Sequence, residues 1–560
     1  MDIDFHYYAT YVAAMMAGYD KDEAATIAHA GQYIDDSEPV RLMDPAKLGF
    51  EPVTTVFSIV AEMARDSDWS AMTIAHDRAM WTSFHFLPGN IDLKHAYTGP
   101  KQSSGRLGQS WTYDELAEQQ FRSMCLPSSP LAQRMVNDTV DRHANDLHMI
   151  GLRMHVLIDT FAHMLYCGSA AWHVNEVEQE PQVWRDGRWE TVTIPGFTYS
   201  PGVGLFYNSI IYTGHGRLGH VPDLPWVRYR YQPKWSNVAI EKDNPARYAE
   251  AFSEMVQAMT AIRTRTRYTP GTALGSDSPA ARALPQVRRI IDTKPTQADE
   301  WKWGLLNDFT DQRCGVWLAA LPQIRTPTNQ PVPAPPKYSP DTWLTKAEAV
   351  AAAKGDVGST DYARWHRAAA AHLGFVKNGV SEAGLTLLGQ SPFATQKDVA
   401  NILGHRVKIK SSKGGSAFWE VEDSSKEAGR FLQLWDDKTP RAALLWVIQH
   451  AGKGPDGHDR FQIYNPTLDS YATFVGNPHA NGRELDGCYV RSGKRGASGL
   501  QRFPMSKHVA PNGHATYSFH VANEYALQPE NGNLGNSTKI VAKRQGADDL
   551  LSARWEFVAT

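Results

Sequence analysis

The segment Leu152 to Leu165, LRMHVLIDTFAHML, places His155, Asp159 and His163 at i, i+4 and i+8. At about 100° per residue the three drift only roughly 40° around a helix axis, so they project from one face over two turns. The other faces carry Leu152, Val156, Leu157, Ile158, Phe161, Met164 and Leu165. A helix apolar nearly all round is a buried helix. Buried polar groups need partners, and buried charges need a counter-charge or a metal. Imidazole and carboxylate are good zinc ligands, so this face predicts a divalent-metal site. The structural alternative is a core His bonded to an Asp one turn away. His163 on the same face, and the further clusters below, favour the metal.

A second dense cluster lies in YTGHGRLGHVPDLPW, where His215, His220 and Asp223 fall within nine positions among Gly and Pro. Those residues fix the backbone so that neighbouring side chains can converge. His85 sits between two Phe in SFHFLPGN, as on a rigid loop delivering one side chain inward. His76 lies just upstream, in MTIAHDRAMW.

These residues must be held by helices. Tyr8 to Gly18 reads as a first helix, with His6 at its start. Asp20 can cap a second helix, with Glu23 completing a capping box, and that helix ends near Asp35 and Asp36. Acidic residues at a helix C-terminus oppose its dipole, and a cation is one compensation. Residues 114–150 read as helical, 244–264 as an amphipathic helix, and 345–354 and 361–375 as further helices. The last of these carries His366 and His372. Residues 92–112 read as an exposed loop, and 184–213 as a loop or small β excursion. Residues 326–341, TPTNQPVPAPPKYSP, are extended and Pro-rich. The helix after them is expected to pack back onto the helical domain, which makes them a long surface loop.

From about 397 the texture becomes β. RVKIK, AFWEVE, FLQLWD, LLWVIQ, RFQIYN, YATFVG, LDGCYV, YSFHVAN, TKIVAK and RWEFVAT read as strands separated by turn residues. RVKIKSSKGGS, RFQIYNPTLDS and YSFHVANEYAL each open a unit, and Trp446, Phe503 and Trp555 each close one. Three repeats of about four short strands predict a β-trefoil. The expected fold class is therefore multidomain α plus β: a mainly helical domain over 1–390 and a trefoil over 397–560.

A chain of 560 residues exceeds one core, and 42% hydrophobic with 21% charged residues is an ordinary globular composition. A net charge of −3 provides no polyanion-binding field over the whole chain. Cys125, Cys167, Cys314 and Cys488 form no CxxC pair or disulfide framework. The N-terminus lacks the pattern of a secretory signal peptide, and no apolar run reaches the roughly 18 residues of a membrane span. The expected location is cytoplasmic, or exported by a signal-independent route. Neither a GxSxG elbow nor a GxxxxGK[ST] loop is present.

Residues 397–560 resemble a ricin-type β-trefoil, a carbohydrate-binding module, through RFQIYNPTLDS and RWEFVAT. The Gln-x-Trp signature is degenerate in all three repeats. Residues 1 to about 385 resemble an uncharacterised family of helical bacterial proteins through IDFHYYATYVAAMMAG, AHAGQYIDD, SFHFLPG, MHVLIDTFAH and GHGRLGHVPDLPW. That order of motifs is in turn similar to the zinc-dependent phospholipase C and single-strand nuclease superfamily. This resemblance implies a cluster of two or three zinc ions, held by His6, Asp35 or Asp36, His85, His155, Asp159, His163, and His215 or His220 with Asp223. The N-terminal Trp that ligates zinc through its amine in those enzymes is absent here. The spacing from Asp159 to His163 is also shorter than theirs.

The implied function is metal-dependent cleavage of a phosphodiester, in a lipid headgroup or a nucleic acid. Asp35, Asp36 or Asp159 would bridge metals or orient the nucleophile. The trefoil would dock the enzyme on glycans, as in an effector toxin, by analogy of architecture. The alternative is a non-catalytic carbohydrate- or protein-binding protein with a closed structural metal site. A glycoside hydrolase would need a carboxylate pair, for which Glu176, Glu178 and Glu180 are available.

Overall fold

The computed structural model describes residues 1–38, 41–56, 80–98, 115–169, 171–192, 194, 213–295, 310–383, 385, 396, 399–400, 402–412, 415–436, 442–453, 459–475, 488–494, 501–509, 515–522, 525–544 and 553–559. His76 and the stretches 99–112 and 195–212 lie outside them. The described residues form two compact units, one drawn from 1–66 and 77–388 and the other from 389–560.

The first unit is helical. A π-helical turn, Asp4–Ala9, runs into α1 (Thr10–Met16), followed by α2 (Lys21–Gln32) and α3 (Pro45–Leu48). Next come α4 (Glu115–Arg122), α5 (Pro130–Arg142), α6 (Leu147–Ala162) and α7 (Trp172–Asn175). The rest are α8 (Asn244–Thr264), α9 (Pro279–Asp292), α10 (Thr310–Ala320), α11 (Asp341–Ala352) and α12 (Asp361–Glu382).

The central helix of the sequence reading is α6, and it begins five residues earlier than LRMHV suggests. Asp146 starts it by accepting from the backbone N–H groups of His148 and Met149, both at 3.1 Å. It ends at Ala162, where His163 leaves the helical conformation, and Leu165 follows at φ 76°. His148 through Ala162 are all buried. The helix is surrounded by α2, α5, α8 and α12.

Helix α2 carries the capping box at Asp20 and Glu23. It crosses α6 so closely that a Cβ on Gly151 would lie 2.1 Å from the Ile27 carbonyl oxygen. That crossing brings the 3₁₀ turn Tyr33–Asp35 beside the His155 face. Helix α12 packs on α6, and its Trp365, Tyr362 and Val376 join the main core. The Pro-rich stretch is thus a strap over the helical unit: Tyr7 donates to the Pro336 carbonyl at 2.7 Å. Residues 182–243 contribute a four-stranded antiparallel sheet, β1 (Gln182–Arg185), β2 (Arg188–Thr191), β3 (Arg228–Tyr231) and β4 (Ile240–Asp243), in the order β2-β1-β3-β4.

Not every His on these helices faces the candidate cluster. His366 accepts from the Val53 N–H at 3.1 Å, and His372 donates to the Ser83 carbonyl at 2.9 Å. Both are fully buried, and burial pushes each imidazole down to about 3. A folded pKa below the unfolded value of about 6.5 gives stability that is present above pH 6.5 and lost as pH falls toward 3. The urea midpoint of the helical unit is therefore expected to fall across that window. The double variant His366→Gln, His372→Gln should lower the slope of stability against pH by up to two protons. An unchanged slope would mean that these rings are protonated in the fold.

Among its described residues the second unit holds twelve strands in three sets of four: β5 (Arg406–Ser411), β6 (Ala417–Val421), β7 (Leu432–Asp436) and β8 (Trp446–Lys453); β9 (Asp459–Asn465), β10 (Ser470–Phe474), β11 (Val490–Gly493) and β12 (Met505–Val509); β13 (Ala515–Ala522), β14 (Tyr525–Pro529), β15 (Ile540–Arg544) and β16 (Trp555–Ala559). The first and fourth strands of each set close a ring. β5 pairs β8, β8 pairs β9, β12 pairs β13, β13 pairs β16, and β16 returns to β5. The bridge Phe461↔Phe503 joins the remaining pair. The inner strands form three hairpins, linked to one another by the bridges Phe431↔Arg491, Gln433↔Lys539 and Tyr489↔Val541.

A six-stranded ring capped by three hairpins is a β-trefoil. The repeat works through the closing residues. The Trp446 indole N–H donates to the Trp419 carbonyl, and that of Trp555 to the Leu527 carbonyl, each at 2.9 Å. Phe503 keeps the buried ring but has no indole donor, so the middle repeat lacks this bond. Strands β12 and β14 were absent from the sequence reading. MSKHV places Lys and His inside its run, and YALQP is cut short by Pro.

Candidate metal centre

Asp159 stands at the middle of the candidate cluster. Its Oδ1 lies 3.2 Å from His6 Nε2 and 3.2 Å from the Met1 amino nitrogen. Its Oδ2 lies 3.2 Å from His155 Nε2, 3.4 Å from His85 Nδ1 and 3.6 Å from His163 Nδ1. Asp35 closes one side, with Oδ1 at 3.8 Å from both His85 Nδ1 and His155 Nε2, and Oδ2 at 3.8 Å from His6 Nε2. Asp223 closes the other, with Oδ1 at 3.1 Å from His163 Nε2 and Oδ2 at 3.4 Å from His215 Nε2. Met1 nitrogen is also 3.2 Å from Asp223 Oδ1, and so spans the two carboxylates.

Three ligand sets result, the first two sharing His155: His6, His155 and Asp159; Asp35, His85 and His155; His163, His215 and Asp223. Zinc–ligand distances of about 2.0–2.2 Å put tetrahedral ligands about 3.3–3.6 Å apart. The observed separations of 3.1–3.8 Å bracket that edge.

The tautomers decide what the cluster asks for. His85 Nε2 is 3.0 Å from the Thr55 carbonyl, which only accepts, so this nitrogen carries the proton. Nδ1 then presents a lone pair to the carboxylate of Asp159. His163 donates through Nδ1 to the His85 carbonyl at 2.7 Å, and its Nε2 lone pair faces Asp223. His215 donates through Nδ1 to the Gly219 carbonyl at 2.7 Å, and its Nε2 lone pair also faces Asp223. The lone pairs of His163 and His215 thus point at Asp223, while that of His85 faces both Asp159 and His155 Nε2, each at 3.4 Å. Such contacts are repulsive unless a cation sits between them, and second-sphere carbonyls of this kind orient metal-bound imidazoles.

Protonating rings is the competing answer, and burial opposes it at His6, His155 and His163. Desolvation pushes His155 down to about 4 and lowers His163, while His6 is held well below its usual value. His6 Nε2, His155 Nδ1 and Asp159 Oδ2 are buried without a hydrogen-bond partner among the described residues. Burial pushes Asp159 up, and only positive charge at its imidazole and Met1 neighbours holds it well below the carboxylate range. The residues present therefore fit a divalent-metal centre.

Two of the sequence alternatives are separated. Asp35 faces the cluster. Asp36 turns away, accepting from Tyr338 at 2.7 Å and from the Gln32 amide at 3.2 Å. His215 joins the cluster at 14% side-chain exposure, whereas His220 is 53% exposed and reaches only Asp223, at 3.4 Å. His6, His85, His155, Asp159, His163 and Asp223 all converge. His163 does so from the C-cap of α6 rather than from within it.

Two supporting residues lay outside the sequence reading. The Phe86 ring stacks on His163 at 4.4 Å, and Gly214, at φ 58°, makes room for it. A Cβ there would sit 2.2 Å from Phe86 Cζ. The aromatic pair around His85 and the Gly pair around His215 were the available signals.

The sequence model of a family of unknown function (DUF6765) matches residues 1–380, which covers every residue of this cluster. The chain belongs to that family. No curated protein matches it. Among solved structures, similar ones include the designed three-fold symmetric protein ThreeFoil, at 15% identity over 28% of this chain and 99% of that one, TM-score 0.23. Others are the Rhizoctonia solani agglutinin, at 15% identity over 28% and 95%, TM-score 0.22, and the Macrolepiota procera ricin B-like lectin in complex with lactose, at 14% over 28% and 97%, TM-score 0.22. At these scores the likeness bears no weight, and the trefoil rests on the strand pairing above. Among the described residues no helix of the DUF6765 region or the trefoil is long and apolar enough to cross a membrane.

Proposed function

We propose that the DUF6765 region is a divalent-metal-dependent hydrolase of phosphodiester bonds, carrying two or three zinc ions, with the trefoil as its glycan-docking module. One observation carries the metal: the inward lone pairs of His163 and His215, both facing Asp223. When bound, the ions would supply Lewis acidity to a phosphoryl oxygen and activate water near neutral pH.

The protein's own residues do the rest. Asp159 offers its two oxygens to opposite sides, which suits a bridging carboxylate. Asp35, with a side chain 27% exposed, is the carboxylate nearest solvent among the three and is placed to orient an attacking water. The phosphodiester substrate rests on motif order alone. Of the carboxylates named for a glycoside hydrolase, Glu176 accepts from Arg217 Nε at 3.1 Å and Glu178 pairs with Lys234 at 2.6 Å.

The test is metal content of the purified full chain by mass spectrometry, followed by assays on bis-nitrophenyl phosphate, phospholipid and single-stranded DNA. Two or three zinc per chain with turnover of one substrate supports the proposal. Zinc without turnover favours a structural centre in a binding protein. A folded chain that takes up no metal from added zinc ends the reading. A glycan array with the full chain checks the docking role.

A further inference from the structure

Helix α6 has a second polar face. Arg153 lies about 200° around the axis from His155. It lines a cleft of about 900 Å³ between α5, α6, α12 and the turn at Arg267 to Thr269. The Arg153 side chain is only 1% exposed. Burying a guanidinium costs several kcal/mol unless its donors are met. Nη1 donates to the Met135 carbonyl at 3.0 Å and to Thr139 Oγ1 at 2.9 Å, and pairs with Asp138 Oδ2 at 2.8 Å. Phe375 lies flat against it at 4.9 Å. Its Nε–H is buried and has no partner among the described residues. The guanidinium is thus braced on one side and has an unspent donor in the wall of a cleft.

The charge lining the cleft is uneven. Asp138 serves both Arg153 and Arg142, the latter at 3.4 Å. Arg267 pairs with Asp141 at 2.9 Å, and Arg134 with Glu382 at 2.7 Å. Among the described residues four guanidiniums line the cleft against three carboxylates, with Asp146 acting on Arg153 from outside the lining. Arg forks match oxyanions, and the cleft is far larger than a bare ion.

We infer that this cleft is a binding site for an organic oxyanion, a phosphate or carboxylate on a small polar body, held at Arg153 and Arg142 and screened by Arg267. It is separate from the metal face of α6 and does not depend on the proposed hydrolase activity. Asp138 is the ligand's competitor for the guanidiniums.

The test uses titration calorimetry on the full chain carrying Asp159→Ala and His163→Ala and treated with chelator, so that the metal face contributes no phosphate binding. The probes are inorganic phosphate and citrate. Saturable binding of phosphate marks a phosphoryl ligand, and binding of citrate alone marks a carboxylate. In either case Arg142→Gln with Arg267→Gln should weaken binding by about ten-fold or more, and Asp138→Asn should tighten it. The two arginines are 76% and 70% exposed, so the fold tolerates their loss. No binding of either probe up to about 20 mM, or equal affinity with the arginines replaced, overturns the inference.

Discussion

Replacing Asp159 and His163 together by Ala is expected to strip the chain of all but one zinc ion and to lower phosphodiester turnover by more than about 100-fold. Loss of an outer-sphere partner alone costs about 10–100-fold in metal affinity or activity, and these two residues sit closer than that. Asp159 touches His6, His85, His155 and His163, so its removal opens every part of the cluster at once. His163 carries one of the lone pairs on Asp223. The measurement is zinc per chain beside a thermal melt, which separates lost ligands from lost fold. A companion pair sharpens it: Asp35→Asn should lower metal content, whereas Asp36→Asn should not. Wild-type zinc content in the double variant would place the metal elsewhere in the chain.

That pair also marks where the sequence stops being informative. His155, Asp159 and His163 were legible because helical period alone puts them on one face of an apolar helix. The Asp20–Glu23 box and the threefold β repeat were legible for the same reason: each is a local pattern with a fixed spacing. Asp35 and Asp36 are the same residue type one position apart, and no spacing separates them. Tyr338, some 300 positions away, does so by holding Asp36 at 2.7 Å. His215 and His220 are likewise divided by the Gly219 carbonyl, which fixes the first and leaves the second at the rim. The outer sphere is built from the carbonyls of Thr55, His85 and Gly219. Every residue has a carbonyl, so no side-chain pattern could have announced them.

Helix ends are hard to read for a related reason. The apolar period starts at LRMHV, yet the cap is Asp146, five residues before Gly151. Gly151 reads as a weakness in a helix, since Gly costs about 1 kcal/mol against Ala. The structure gives the compensating gain. Its missing side chain lets α2 and α6 approach backbone to backbone, and that approach brings Asp35 within 3.8 Å of His155.

Gly151→Ala is accordingly expected to destabilise the helical unit by about 3 kcal/mol or more, the upper range of overpacking, despite the better helix former. The added Cβ would meet the Ile27 carbonyl at 2.1 Å and Ala30 Cβ at 2.7 Å. The first obstacle is backbone and cannot swing aside. Parting the helices also separates Asp35 from His155, so zinc affinity should fall together with stability. Gly315→Ala is the control: it lies within α10 with nothing within 4 Å of its Cβ, and should stabilise by up to about 1 kcal/mol. Urea unfolding of the full chain should show an early transition in Gly151→Ala while the trefoil's own transition stays in place. If Gly151→Ala matched Gly315→Ala, the spacing of α2 and α6 would not be set by this contact. The two faces of the metal centre would then be held in register by the side chains around it rather than by the backbone crossing.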